Sequence, residues 1–211
     1  MKKINEIGRS MIEMLAVLGI IGVLSAGGVA GYGKAINKYR IHTAVSYITD
    51  AIIEYQLFLK RNPTSYPTDT DKMAQTALDY GLLSTCKIAN SELAGSSYQV
   101  CRISLGEVYP RFFITTDSTE IYQTYMLYVS FTSNKTQACI DFLNQRWDQI
   151  VPQKFWRRGK LWLTSNHGDR MVYSSTVNHL NLTDIGSLCS ELCETEALYC
   201  TVVFDFTTLG R

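Results

Sequence analysis

Glu13 is the only acidic residue between Arg9 and Tyr32, inside the run RSMIEMLAVLGIIGVLSAGGVAGY. A carboxylate in a segment that must live in lipid costs about 2.5–3.5 kcal/mol on insertion scales. An anchor alone would carry Leu at that position, so Glu13 reads as a functional group that needs a partner. Six cysteines, at 86, 101, 139, 189, 193 and 200, all follow the apolar run. An even set downstream of an N-terminal export segment predicts up to three disulfides made in an oxidising compartment, and fifteen pairings are open to it. Zinc binding is the competing use of these thiols. The C-x3-C-x6-C spacing of Cys189, Cys193 and Cys200 contains no histidine and lacks the paired short spacings of a structural zinc site. Bridges are the better reading, and no metal is expected.

Catalytic constellations are thin. The three histidines are His42, His167 and His179. Ser165, His167 and Asp169 lie close in sequence, whereas triad members normally converge from separate segments. GxSxG, HExxH and phosphate-loop patterns do not occur. A Cys139–His167 protease pair would compete with the use of Cys139 as a bridge. The chain therefore reads as non-enzymatic, with no catalytic residue and no cofactor. QKFWRRGKLWL interleaves Lys154, Arg157, Arg158 and Lys160 with Phe155, Trp156 and Trp162, which suits stacking on bases or binding a polyanion. A formal net charge of +1 supplies no global field for nucleic acid. An ordinary loop with inward aromatics and solvated charges outweighs that contact. The sequons at Asn134 and Asn181 read as helix-start and loop residues.

These groups must be positioned by a membrane segment and a folded domain. No proline occurs between Arg9 and Arg61, which predicts one long helix. Its first half is apolar for about 20 residues, enough to span a bilayer. The apolar core continues past Ser25–Ala26–Gly27 without the short length and small-residue cleavage site of an ordinary secretory signal, and no cysteine ends it as in a lipoprotein signal. Gly19, Gly22, Gly27, Gly28, Gly31 and Gly33 allow close helix approach and soften the helix. In the second half, Ile41, Ala44, Val45, Ile48, Ala51, Ile52, Tyr55, Phe58 and Leu59 recur on one stripe that should pack under a domain. Lys38, Thr43, Asp50, Glu54 and Arg61 fall off it.

Asn62–Pro63 stops this helix, and NPTSYPTDT is a turn-rich connection. DKMAQTALDYGLL predicts a short helix with Met73, Ala77 and Leu78 on its apolar face and Gly81 closing it. SYQVCRISL, VYPRFFITT and TYMLYVSFT form the pattern of an antiparallel meander. NKTQACIDFLNQRW predicts a helix, and YCTVVFDFT a terminal strand. With 46% hydrophobic residues and 13 tyrosines, the chain has the material for a real core. The fold class is α+β: a long N-terminal helix packed on an antiparallel sheet.

The N-terminal pattern, a short basic leader ending in Gly8 and a glutamate five residues later, resembles type IV pilins and the pseudopilins of type II secretion. The build is closest to the type IVb group. The resemblance implies a leader over residues 1–8, a transmembrane and filament-core helix over 9–33, an amphipathic half over 34–61, and a disulfide-bearing globular domain over 62–211. It implies cleavage between Gly8 and Arg9 by a prepilin peptidase, N-methylation of Arg9, and Glu13 as the assembly residue. Arg9 departs from the family, whose first mature residue is usually Phe or Met. The resemblance also implies pairing of Cys139 with Cys193, leaving Cys86–Cys101 and Cys189–Cys200 as local loops. The implied function is a structural filament subunit with itself or co-pilins as partners, served by an inner-membrane assembly platform and its ATPase. It would sit as a single-pass protein in the bacterial inner membrane, with Lys2 and Lys3 cytoplasmic, and then in a periplasmic or extracellular filament. A minor pseudopilin is the alternative within this class. A membrane-anchored periplasmic enzyme or receptor is the alternative outside it.

Overall fold

In the computed structural model, residues 4–61, 73–93, 98–117, 120–151, 159–174, 182–194 and 196–209 are described. The proline-free stretch forms helix α1, Ile4–Arg61. The chain divides into two compact units, Met1–Arg40 and Ile41–Arg211. In the first unit the helix leaves its large apolar side chains from Met11 to Val29 exposed.

In the second unit the helical stripe becomes a core face. Ile41, Ala44, Ile48, Ala51, Ile52, Tyr55 and Phe58 are buried, and Val45 packs against them. Lys38, Thr43 and Asp50 are exposed, while Glu54 is half-buried. Glu54 accepts hydrogen bonds from the Ser84 hydroxyl and, at 3.1 Å, from the Ser84 N–H. The side chains of Leu59 and Arg61 lie outside the described residues.

Helix α2, Met73–Asp79, buries Ala74 and Ala77. Gly81 ends it with φ +74°, while Leu82 N–H donates to the Ala77 carbonyl and Gly81 N–H to that of Leu78. This is a Schellman closure, which needs a left-handed residue and therefore favours glycine.

The strands are β1 (Ile88–Asn90), β2 (Gln99–Ile103), β3 (Gly106–Asp117), β4 (Glu120–Phe131), β5 (Lys160–Ser165), β6 (Gly168–Ser174) and β7 (Cys200–Leu209). Among the described residues they form one sheet in the order β1-β2-β3-β4-β7-β5-β6, and every pairing is antiparallel. Side chains alternate between its faces. Val108, Phe112, Tyr125, Leu127, Val129, Leu161, Leu163, Phe204 and Phe206 join the α1 stripe in one core. Tyr55 stacks on Tyr125 with ring centroids 4.1 Å apart, and Phe58 tilts against Phe112 at 6.3 Å. The opposite face carries Glu107, Tyr109, Arg111, Tyr128, Ser130, Thr201 and Val203.

The β2–β3 turn depends on Gly106. A Cβ there would collide with the Ser130 carbonyl of β4, a backbone atom that cannot swing aside. Gly106→Ala is expected to lower stability by about 1–3 kcal/mol through local overpacking, read as a fall in denaturant midpoint at constant slope.

Three further elements complete the unit. The run expected as one helix from Asn134 to Trp147 divides into α3, Lys135–Leu143, and α4, Trp147–Ile150. The Trp147 indole N–H donates to the Phe142 carbonyl at 2.8 Å, using an acceptor that a continuing helix would need. Helix α5, Leu182–Leu192, carries Ile185, Leu188, Cys189 and Leu192 at helical spacing. The expected meander and terminal strand are present as β2, β3, β4 and β7, whereas β1, the β5–β6 hairpin and α5 go beyond it. The hairpin inserts as the sheet's far edge through β5 pairing with β7.

Candidate assembly helix and the disulfide cluster

Glu13 lies on the helical first unit at an exposed position. Met11, Ile12, Leu15, Leu18 and Ile21 around it are also exposed. A side chain added at Gly19, Gly22, Gly27, Gly28, Gly31 or Gly33 would meet nothing within 4 Å, so their small size serves no packing among the described residues. An 18-residue window within Met11–Phe58 reaches mean hydropathy 2.1, which is long and apolar enough to cross a membrane. Gly8 and Arg9 belong to α1 by backbone, and their side chains lie outside the described residues.

The structure bonds Cys86 to Cys101, Cys139 to Cys189, and Cys193 to Cys200. The expected Cys139–Cys193 and Cys189–Cys200 bridges are therefore corrected. Cys189 lies inside α5, which packs beside α3 and presents it to Cys139 with their Cα atoms 5.9 Å apart. Cys193 follows the end of α5, and the chain returns within seven residues to bring Cys200 to a Cα separation of 5.1 Å. Cys189 and Cys193 are one helical turn apart, so the sequence leaves either equally placed to meet Cys139. The Sγ atoms of Cys139, Cys193 and Cys200 lie within 4.8 Å of one another. All six thiols are in bridges, and a disulfide sulfur is not the thiolate that zinc requires. Further ties join this corner: Thr136 Oγ1 donates to the Cys193 carbonyl at 2.6 Å, and Lys135 Nζ to that of Ala197. Asn134 stands at the α3 start with φ 43°, a left-handed conformation that Asn tolerates.

The hydroxyl, imidazole and carboxylate near 165–169 do not form a relay. Ser165 Oγ accepts from the His167 backbone N–H at 3.0 Å. Asp169 accepts from the Thr164 hydroxyl across the β5–β6 hairpin. His42 lies on α1 at a groove of about 570 Å³ that also includes Asp50, Lys87 and Arg102. His179, Asn181, Lys154, Phe155, Trp156, Arg157 and Arg158 fall outside the described residues. Lys160 and Trp162 stand on β5, with the ammonium 5.6 Å from the indole centroid.

The tyrosines are the acid–base feature of this unit. Burial raises the Tyr125 hydroxyl above its ordinary range, with Tyr47 and Glu54 adding to the effect. Burial likewise raises Tyr47, with a contribution from Glu54, and Tyr109, with one from Tyr98. A raised pKa in the folded state gives stability that is intact below the unfolded value of about 10 and is lost as pH rises toward the folded one. Alkaline titration should therefore show unfolding above about pH 10, with tyrosinate absorbance appearing together with loss of near-UV circular dichroism. Independent, gradual titration of these rings in a still-folded protein would contradict it.

Part of this chain has a counterpart among known proteins. Over 91 residues the chain is 34% identical to the toxin coregulated pilin of Vibrio cholerae. This chain is similar to a pilin. The match takes in 43% of the chain and 40% of that relative's length, so it spans less than half of the curated pilin. No family model matches the chain. A solved type IVb pilin from Salmonella typhi aligns with TM-score 0.44 and 10% identity over 76% of this chain and 95% of that one.

Two features of the sheet domain were missed in sequence. The β5–β6 hairpin was signalled by alternating Leu161 and Leu163 followed by Asn166-His167-Gly168, and α5 by Ile185, Leu188, Cys189 and Leu192. The aromatic–basic composition next to β5 masked its alternation.

Proposed function

We propose that this chain is a structural subunit of a type IV pilus or a related filament, assembled through its N-terminal helix. The observation that carries the reading is the exposed apolar helix face around Glu13 in a chain similar to a pilin. The subunit starts as a single-pass inner-membrane protein with Lys2 and Lys3 in the cytoplasm, as positive charge near a span favours. A prepilin peptidase cuts between Gly8 and Arg9, and the new amino group of Arg9 is methylated. An assembly platform and its ATPase then extract the helix from lipid. In the filament, a neighbour's N-terminal charge meets Glu13 inside a low-dielectric helix bundle and sets the axial register. The glycines between Gly19 and Gly33 let neighbouring helices approach, and the disulfide-braced domain faces outward.

N-terminal sequencing of the mature protein tests the first step. A chain beginning at Arg9 is expected, and a start elsewhere removes this reading. Abundance in sheared filaments separates a main pilus subunit from a minor pseudopilin.

A further inference from the structure

We propose that a pocket on the sheet face opposite α1 binds a neutral pyranose, such as one sugar of a glycan. Tyr109 of β3 and Tyr128 of β4 are paired in register, and their rings stack 4.6 Å apart at 9°. Tyr98 tilts against Tyr109 at 4.9 Å. Tyr199 adds a wall, and the register pair Thr164 and Thr201 adds hydroxyls. The cavity volume is about 300 Å³, at the lower end of the range that holds small ligands.

Both rims are held in place. On one side Leu93 follows Ser91 and Glu92, and these two are fastened to Glu107. That carboxylate has no exposed surface, and it accepts from Ser91 Oγ at 2.7 Å and from Glu92 N–H at 2.5 Å. Arg102 pairs with Glu92 at 2.6 Å. On the other side Asn166 Oδ1 accepts from the Leu198 N–H at 2.8 Å, and Lys135 holds the Ala197 carbonyl. Burying a carboxylate is costly unless hydrogen bonds satisfy it, and here it anchors a loop beside an open cavity. Such preorganisation raises affinity by removing the ordering cost of binding.

The lining chemistry selects the ligand. The lining side chains are uncharged, and the Arg111 guanidinium beside them is engaged over the Tyr109 and Tyr128 rings, 5.8 and 5.4 Å from their centroids, so an ionic guest would meet no charged lining group. A hydrocarbon guest would leave unused the remaining acceptor capacity of the lining hydroxyls, of which Thr164 donates to Asp169, Thr201 pairs with Ser130 and Tyr128 donates to the Met126 sulfur. A pyranose fits both demands. Its C–H face lies on the electron-rich face of an aromatic ring, and its hydroxyls exchange hydrogen bonds with groups that both donate and accept. The Thr201 hydroxyl is already oriented by Ser130 at 2.7 Å. The inference goes beyond the filament reading and does not depend on it.

Saturation-transfer NMR on the full-length protein tests this, in a phosphocholine detergent that carries no sugar headgroup. The probes are methyl β-galactopyranoside, methyl β-glucopyranoside, methyl α-mannopyranoside and methyl N-acetyl-β-glucosaminide. At least one should receive saturation on its ring C–H protons, and Tyr199→Ala should weaken its Kd by roughly tenfold or more. Glu107→Gln, outside the pocket, should weaken it through the loosened rim. A measurement without substitutions guards against a misfolded variant. In the wild-type protein the ring protons of Tyr98 and Tyr199 should shift with glycoside concentration, while those of Tyr32 and Tyr39 stay fixed. Absence of transfer to all four glycosides, a Kd indifferent to Tyr199→Ala in a folded variant, or equal shifts of both tyrosine sets would overturn the proposal. Binding of phenol with exclusion of every glycoside would also overturn it.

Discussion

Glu13→Ala is expected to abolish filament assembly while the protein still accumulates in the membrane. The two halves of that result have opposite electrostatic signs. Removing a carboxylate from the apolar segment relieves about 2.5–3.5 kcal/mol on insertion scales, so membrane content should hold or rise. In a packed helix bundle, losing one partner of a buried ion pair strands the other and costs about 3–5 kcal/mol. That penalty recurs at every subunit contact, so growth stops instead of slowing. Immunoblots of membranes and of sheared filaments measure both quantities in one culture. Arg9 supplies the control, because it stands four residues before Glu13 in sequence and an intrachain pair at that spacing is worth only tenths of a kcal/mol. Arg9→Phe should leave assembly intact. If Arg9→Phe and Glu13→Ala are equally defective, the acid works within its own chain and the cross-subunit mechanism is wrong.

The second large effect concerns the bridge between α3 and α5. Cys139–Cys189 closes a loop of 50 residues, and the chain-entropy relation assigns such a bridge about 4 kcal/mol. Typical domains have only about 5–15 kcal/mol in total. Replacing both cysteines by alanine should therefore remove much of the domain's stability, read from denaturant midpoints. The single Cys189→Ala variant has a different outcome. It leaves a Cys139 thiol with the Cys193 and Cys200 sulfurs within 4.8 Å, close enough for thiol–disulfide exchange. Peptide mapping should then find Cys139 joined to Cys193 or Cys200 in part of the material. Recovery of Cys193–Cys200 alone would mean that the cluster is too rigid to exchange.

That cluster also marks the limit of sequence reasoning. The helical stripe from Ile41 to Phe58 was legible because a helix repeats its contacts every three to four residues. Gly81 was legible as a helix end because its left-handed conformation is local chemistry. The β3–β4 hairpin was legible because alternation and turn residues are short-range signals. The hairpin at Lys160–Ser174 and the helix at Leu182–Leu192 carried the same kinds of signal, obscured by a neighbouring basic–aromatic run and by the closely spaced cysteines. Cys189 and Cys193 were different in kind. They stand four residues apart in sequence, and nothing local distinguishes them as partners for Cys139.

The tyrosine pocket was illegible for the same reason. Tyr98, Tyr109, Tyr128 and Tyr199 come from four separate segments, and only strand register brings them together. Nothing local marks Glu107 as a buried anchor, because its partners Ser91 and Glu92 come from another segment. The sequence by itself determined the apolar helix with its acid, the amphipathic continuation, the α+β class and the use of the cysteines as bridges. Those follow from periodicity and local chemistry, which act over a few residues. Tertiary structure alone decided which sulfurs join, how the far hairpin enters the sheet, and which side chains share a cavity. Those depend on strand order and helix placement, where residues far apart in the chain compete for the same neighbours.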